Sequence, residues 1–337
     1  MATASPRPAA LLAMGPGLDA ELFTPDQRAR LSEVVELLAD EPAAELTTVP
    51  DELAARVEIL VTGWGAPRID ATALQRMPRL RAIVHTAGTA APFVSDAVWQ
   101  REDIVVTTAA HANAVPVAEY ALAQILLAGK HSLERAAAYR RARGARGAWS
   151  TSGVGGNYGA VVGLIGASHT GRLTAQYLRP FDLELLLYDP YVGPEEIAGL
   201  GARKVELPEL FSASDVVSLH APDLPSTREM ITARHFSLMR DGATFINTAR
   251  PALVDEGALR AELVSGRISA VLDVHDDLSP DDVLWDVPTV ELTPHIAGSQ
   301  GNELHRMAGS ALDELQRLAG GEDARHALDR SRLHITA

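Results

Sequence analysis

From residue 9 onward, short apolar blocks alternate with amphipathic stretches. Blocks 9–14, 57–61, 80–84 and 104–108 are apolar nearly throughout, as expected of strands covered on both faces. Helical periodicity lies between them. Thr24-Pro25-Asp26 opens one helix, with Thr suited to the cap and Pro to the first turn. Residues 71–77 and 94–101 read as two more. Strand and helix in alternation predict parallel pairing, because parallel strands need a crossover.

Residues 115–130 form a long apolar stretch that runs into a basic segment, 135–146, and the pattern predicts one long helix across both. The Gly- and Ser-rich residues 144–159 read as a loop. A second alternation follows, with strands predicted at 161–165, 183–188, 216–220, 244–247, 270–274 and 290–293, enough for a dinucleotide-binding sheet. Residues 301–319 are a terminal amphipathic helix with no strand after it, free to pack back on the first domain. The expected fold is α/β with two doubly wound parallel sheets. A discontinuous domain, 1–112 plus 300–337, brackets a central one, 113–299.

Composition narrows the function classes. The 337 residues suit two domains. Thirty Lys and Arg against 44 Asp and Glu give a net charge of −14, which repels a phosphate backbone or an anionic membrane, so neither nucleic acid nor membrane is an expected partner. The absence of cysteine excludes disulfides, thiolate metal sites and a cysteine nucleophile, and no metal is expected. Residues 1–16 lack a signal-peptide pattern, and a cytoplasmic location is the default. The short stretch after residue 321 argues against an appended regulatory domain.

The chemistry gathers at strand ends. Gly166-Ala-Ser-His-Thr-Gly171 follows an apolar strand and opens a helix, the context of a pyrophosphate site, although Ser168 stands where the usual G-x-G-x-x-G pattern has its middle Gly. Asp189 ends the next strand, about 20 residues on, where an acid accepts from ribose hydroxyls and repels a 2′-phosphate, favouring NAD over NADP. His220, Arg250, Asp273 and His295 all fall at or just past the ends of later strands, where open parallel sheets bind ligands. A guanidinium there can grip a carboxylate, and an imidazole moves protons near neutral pH.

Taken in order, Gly166…Gly171, Tyr188-Asp189-Pro190, His220-Ala-Pro222, Asn247-Thr-Ala-Arg250, Leu272-Asp-Val274 and Thr293-Pro-His-Ile-Ala-Gly298 resemble the D-isomer-specific 2-hydroxyacid dehydrogenases. His85-Thr-Ala-Gly-Thr and Asn113-Ala-Val-Pro-Val-Ala-Glu119 extend the likeness over nearly the whole chain. The resemblance implies a flavodoxin-like substrate domain, a Rossmann NAD domain, a cleft between them and a homodimer. It implies hydride transfer between NAD(H) and a small 2-oxo or 2-hydroxy acid, with His295 as acid/base and Arg250 on the substrate carboxylate and carbonyl. Amides of Ala87, Gly88 and Thr89 would hold the carboxylate. Gly166, Ser168, His169, Thr170 and Gly171 would face the pyrophosphate and Asp189 the ribose. His220, Ala221, Pro222, Thr248, Ala249 and Asp273 would line the cofactor, Asp273 on the nicotinamide carboxamide.

Two departures stand out. The family usually has a Glu soon after the Asp-Val pair to orient the histidine; this chain reads Asp273-Val-His-Asp-Asp-Leu-Ser-Pro280, about two residues short and without Glu. Asp277 is the expected replacement, ahead of Asp276. Pro251 takes the place of a usual Gly. These departures leave a second reading: a catalytically weakened, NAD-sensing binding protein of the same fold. Formate oxidation is ranked low, as no glutamine stands beside His295.

Overall fold

The computed structural model describes residues 7–143, 155–276 and 278–332. The chain divides into two compact units, one made of residues up to Asn113 together with those from Ser299 onward, the other of Ala114–Gly298. The division falls inside a helix, Ala110–Ala128.

In the first unit, strands β1 (Ala9–Ala13), β2 (Glu36–Leu37), β3 (Ile59–Thr62), β4 (Ala82–His85) and β5 (Val105–Thr108) form a parallel sheet of order β2-β1-β3-β4-β5, the flavodoxin-like order. Alternate residues serve opposite faces. Ala10, Leu12, Ile59, Val61 and Val84 join one buried cluster, and Leu11, Ala13, Leu60 and Ile83 the other, which is why these blocks show no polar alternation. The helix Leu304–Ala319 buries Leu304, Met307, Ala308, Ala311, Leu312, Leu315 and Leu318, all within the first of these clusters. Thr24 caps the helix Pro25–Val34 in a reciprocal box with Gln27.

In the second unit, strands β6 (Ala160–Ile165), β7 (Leu183–Tyr188), β8 (Arg203–Lys204), β9 (Val216–Leu219), β10 (Thr244–Asn247), β11 (Ser269–Leu272) and β12 (Val290–Leu292) form a parallel sheet of order β12-β11-β10-β9-β6-β7-β8. This is the dinucleotide-binding order with one strand added beyond β11. The sheet again packs on both faces, Val217 and Phe245 on one side and Val216 and Ile246 on the other.

The single long helix expected over 115–146 is corrected. Ala110–Ala128 and Ser132–Arg141 are separate helices. His131, which caps the second helix, takes φ 51°, off the helical path, and a Cβ at Gly129 would drive into the side-chain oxygen of Asn157. Asn157 also donates to the carbonyl of Leu126, so it occupies the space a continuing helix would need. Most of the loop expected at 144–159 lies outside the described residues.

Candidate active site

The turn after β6 is built by contacts that permit few side chains. Gly166 has φ 96°, and a Cβ there would stand 2.7 Å from the amide nitrogen of Ala221. A Cβ at Gly171 would collide with the carbonyl oxygen of Gly166. Ser168, at the middle position, caps the helix His169–Leu178: its hydroxyl accepts from the Gly171 amide at 3.3 Å and donates to the His220 carbonyl at 2.7 Å. The hydroxyl is thus spent on bonds within the protein, which accounts for a serine here. His169 and Thr170 open the helix, where main-chain amides and the helix dipole favour an anion. Asp189, at the end of β7, accepts from the amides of Ala167 and Tyr191, both at 2.8 Å, and its carboxylate keeps lone pairs for ribose hydroxyls.

Two polar atoms at neighbouring strand ends are buried without a partner among the described residues: Nδ1 of His220 beside β9 and Oγ1 of Thr248 beside β10. The glycine turn, the acid at the end of β7 and these orphaned groups fit a dinucleotide along this edge. Ala221 adjoins Gly166, and the Pro222 carbonyl accepts from the hydroxyl of Thr227 at 2.6 Å.

His220 also pairs through Nε2 with the Ser218 hydroxyl at 3.0 Å, and burial lowers its pKa to about 4. His85, at the end of β4, behaves alike. Burial lowers it to about 4 against the opposing effect of a hydrogen bond to the Thr89 backbone, and its Nδ1 lies 3.0 Å from the Thr62 hydroxyl. Both imidazoles are neutral in the folded chain, whereas the unfolded chain takes up protons below pH 6.5. Their contribution is therefore whole above pH 6.5 and is lost as pH falls toward 4, at about 1.4 kcal/mol per pH unit for each histidine. Thermal melting should show a clear loss of stability between pH 7 and pH 5; a flat profile over that interval contradicts neutral burial.

Beyond β10, Asn247 closes the turn that carries Arg250. Its side chain accepts from the Ala249 amide at 2.9 Å and donates to the Arg250 carbonyl at 3.1 Å. Arg250 is extended, φ −149°, which suits the Pro251 that follows and begins a 3₁₀ turn. The guanidinium is exposed and donates to the Ala249 carbonyl at 2.6 Å. His295, just past β12, is exposed with φ 57°, a conformation that costs an L-residue about 1–2 kcal/mol. Its ring makes no hydrogen bond to any described residue.

Asp273, just past β11, is 1% exposed. Its Oδ1 accepts from the Thr293 hydroxyl at 2.6 Å and the Ile296 amide at 2.8 Å, and its Oδ2 from the Ala297 amide at 2.9 Å. Asp277 lies outside the described residues. Asp276 is engaged elsewhere: its amide donates to Glu256 Oε1 at 3.4 Å. Desolvation, then the hydrogen bond with Asp276, raises the Glu256 pKa.

Gly166–Gly171, Asp189, His220, Thr248, Arg250, Asp273 and His295 thus share the carboxyl edge of one sheet. Ala87, Gly88 and Thr89 follow β4 in the first unit. There the Ala87 carbonyl accepts from the Ala109 amide at 3.0 Å, the Thr89 hydroxyl accepts from the Ala91 amide at 3.3 Å, and Gly88 faces the side chain of Asn113. Sequence reading passed over Thr293, whose hydroxyl binds Asp273, and Ser218 and Thr62, which bind the two buried histidines. Only their positions, one or two residues from singled-out side chains or across a strand pair, could have marked them.

The profile of the family described as D-isomer specific 2-hydroxyacid dehydrogenase, NAD binding domain, matches residues 124–297. The chain belongs to this family. The cofactor of this 2-hydroxyacid dehydrogenase family member is NAD, and the matched residues are its NAD-binding domain. A D-3-phosphoglycerate dehydrogenase of Mycobacterium tuberculosis is 31% identical over 287 residues, covering 84% of this chain and 52% of that protein. The chain therefore spans about half the length of that relative. An (S)-sulfolactate dehydrogenase of Chromohalobacter salexigens is 34% identical, covering 68% of this chain and 75% of the relative. Among solved structures, a phosphoglycerate oxidoreductase from Rhizobium etli is 25% identical with a TM-score of 0.82, over 96% of this chain and 99% of that one. Among the described residues, no helix is long and apolar enough to cross a membrane.

Proposed function

We propose that this family member transfers a hydride between NAD(H) and a small 2-oxo or 2-hydroxy acid of D configuration. The observation that carries this reading is the exposed guanidinium of Arg250 and the exposed imidazole of His295 at the carboxyl edge of the NAD-binding sheet, one beyond β10 and the other beyond β12. NADH, when bound, supplies the hydride. Arg250 neutralises the substrate carboxylate and draws charge toward the carbonyl oxygen. Protonated His295 donates its proton to that oxygen, and in the reverse direction the neutral ring takes it back. In the first unit, the amides of Ala87, Gly88 and Thr89 are the proposed carboxylate-binding groups. Gly166, Ser168, His169, Thr170 and Gly171 are assigned to the pyrophosphate, Asp189 to the adenosine ribose, and His220, Ala221, Pro222, Thr248 and Ala249 to the remaining walls of the cofactor site.

A scan of 2-oxo acids of graded size with NADH, followed by nicotinamide absorbance, tests the activity. Turnover of at least one is expected. NADH binding without turnover of any would replace this reading with the NAD-sensing one, which the missing Glu after the Asp-Val pair favours. The carboxylate of Asp189 opposes a 2′-phosphate, so kcat/KM should favour NADH over NADPH by about 10²-fold. Asp189→Asn should narrow that ratio, and equal use of both cofactors by the unaltered chain contradicts the assignment. The proposal includes a homodimer in the cytoplasm; light scattering should give twice the chain mass.

A further inference from the structure

His85 ends β4 opposite Thr62, the last residue of β3, and both are buried. Its ring meets Phe93, with centroids 4.7 Å apart, beside the cluster that Ile83 and Leu60 join. Nδ1 lies 3.0 Å from the Thr62 hydroxyl. The bond to the Thr89 backbone favours the protonated ring, so the ring donates there and the Thr89 carbonyl accepts. The imidazole therefore spans the turn 86–89 and ties its far end to the end of β3. Because burial keeps the ring neutral, it adds no charge of its own to the turn.

The turn is one-sided in its hydrogen bonds. The carbonyls of His85 and Ala87 both accept from the Ala109 amide at 3.0 Å, that of Thr89 from the His85 ring, and that of Ala90 from the amides of Phe93 at 3.3 Å and Val94 at 3.1 Å. The amides of Ala87, Gly88 and Thr89 donate to no described residue. Ala87 is buried, and a buried amide without an acceptor costs free energy until water or a ligand supplies one. Within one planar trans peptide the carbonyl and the amide point opposite ways, so the Ala87 carbonyl on Ala109 aims the Gly88 amide away from Ala109. The His85 ring fixes the peptide after Thr89 in the same manner. Rotation of that peptide would bring a carbonyl oxygen toward a bound carboxylate, which repels it.

We propose that His85 is a positioning residue of the substrate site: its ring holds the turn 86–89 in the conformation that leaves the amides of Ala87, Gly88 and Thr89 free for a carboxylate. The inference rests on the carboxylate-binding role proposed for those amides, and it brings in Thr62, whose hydroxyl fixes the ring. A carboxylate on main-chain amides is held alike before and during hydride transfer, so loosening the turn raises KM and leaves kcat nearly unchanged. A histidine that served packing alone would show the reverse, a lower melting temperature with KM unaltered.

The test compares the unaltered chain with three variants. His85→Leu fills the space and loses both ring bonds, His85→Gln retains one donor and one acceptor, and Thr62→Val removes the anchoring hydroxyl while keeping the shape. The KM for the 2-oxo acid should rise about tenfold in His85→Leu and about threefold in Thr62→Val, and stay within about twofold in His85→Gln, with kcat and NADH affinity near their original values throughout. Hydrogen exchange of the Ala109 and Val94 amides, whose acceptors are carbonyls of this segment, should accelerate in the same order when measured without substrate. Accelerated exchange with an unmoved KM in His85→Leu takes the carboxylate off these amides, and unchanged exchange takes His85 off the turn; either result overturns the proposal. So does a fall in NADH affinity that matches the rise in KM. Should His85→Leu fail to fold, Thr62→Val decides by the same readouts. Should the unaltered chain turn over no 2-oxo acid, the activity reading fails by itself, and the exchange comparison still decides for or against His85 as the holder of this turn.

Discussion

Replacing His295 by alanine is expected to lower kcat by about 10³-fold while NADH still binds with its original affinity. The ring is exposed and makes no hydrogen bond within the described residues, so its removal costs the fold little. Its amide, which ties the turn to Asp273 and Thr293, survives the substitution. Alanine at φ 57° bears the same backbone penalty as histidine, so the turn itself is not relieved. What disappears is the imidazole proposed to give a proton to the substrate's carbonyl oxygen. A variant with unaltered kcat would take His295 out of the mechanism; one with lost NADH affinity would show that the ring belongs to the cofactor site instead.

A second large effect is expected at Gly171. Alanine there would gain about 1 kcal/mol in helix propensity, since the position lies in the first turn of His169–Leu178. Against this gain, the new Cβ meets the Gly166 carbonyl oxygen and comes within 3.4 Å of the His220 Cβ. Neither obstacle is the free end of a flexible side chain, so the helix start or the β6 turn must shift, at about 3 kcal/mol. The clash therefore wins. The shift also breaks the Ser168 bonds to Gly171 and His220, and NADH binding should fall with stability. Gly199→Ala is the matched control, because it closes a helix and its Cβ would meet nothing within 4 Å. It should leave melting unchanged or slightly raised. Equal melting temperatures for Gly171→Ala and Gly199→Ala would refute the packing of this turn.

Much of the fold could be read from the sequence because strands buried on both faces write apolar blocks, as 9–13 and 160–165 do. The two-residue strands Glu36–Leu37 and Arg203–Lys204 could not, since edge pairing asks little of their side chains and both carry charge. The break at 129–131 was hidden for a related reason. Periodicity runs on through it, and what ends the helix is Asn157, brought in from a distant part of the chain.

The candidate site was legible as a set of strand ends, because ligands gather at the carboxyl edge of parallel sheets. Its internal wiring was not. Nothing in the spacing of residues 166–171 shows that the Ser168 hydroxyl reaches the His220 carbonyl. Nor does the Asp-Val pair reveal that its carboxylate ends on main-chain amides beside the histidine, since amides have no sequence signature.

In the proposed reaction, the Arg250 guanidinium and the His295 imidazole act together on one 2-oxo acid beside NADH. A crystal structure with NADH and a non-reducible 2-oxo acid analogue tests it most directly. Arg250 is expected on the analogue's carboxylate and the His295 ring within hydrogen-bond distance of its carbonyl oxygen. Either side chain turned away from the bound analogue would contradict it.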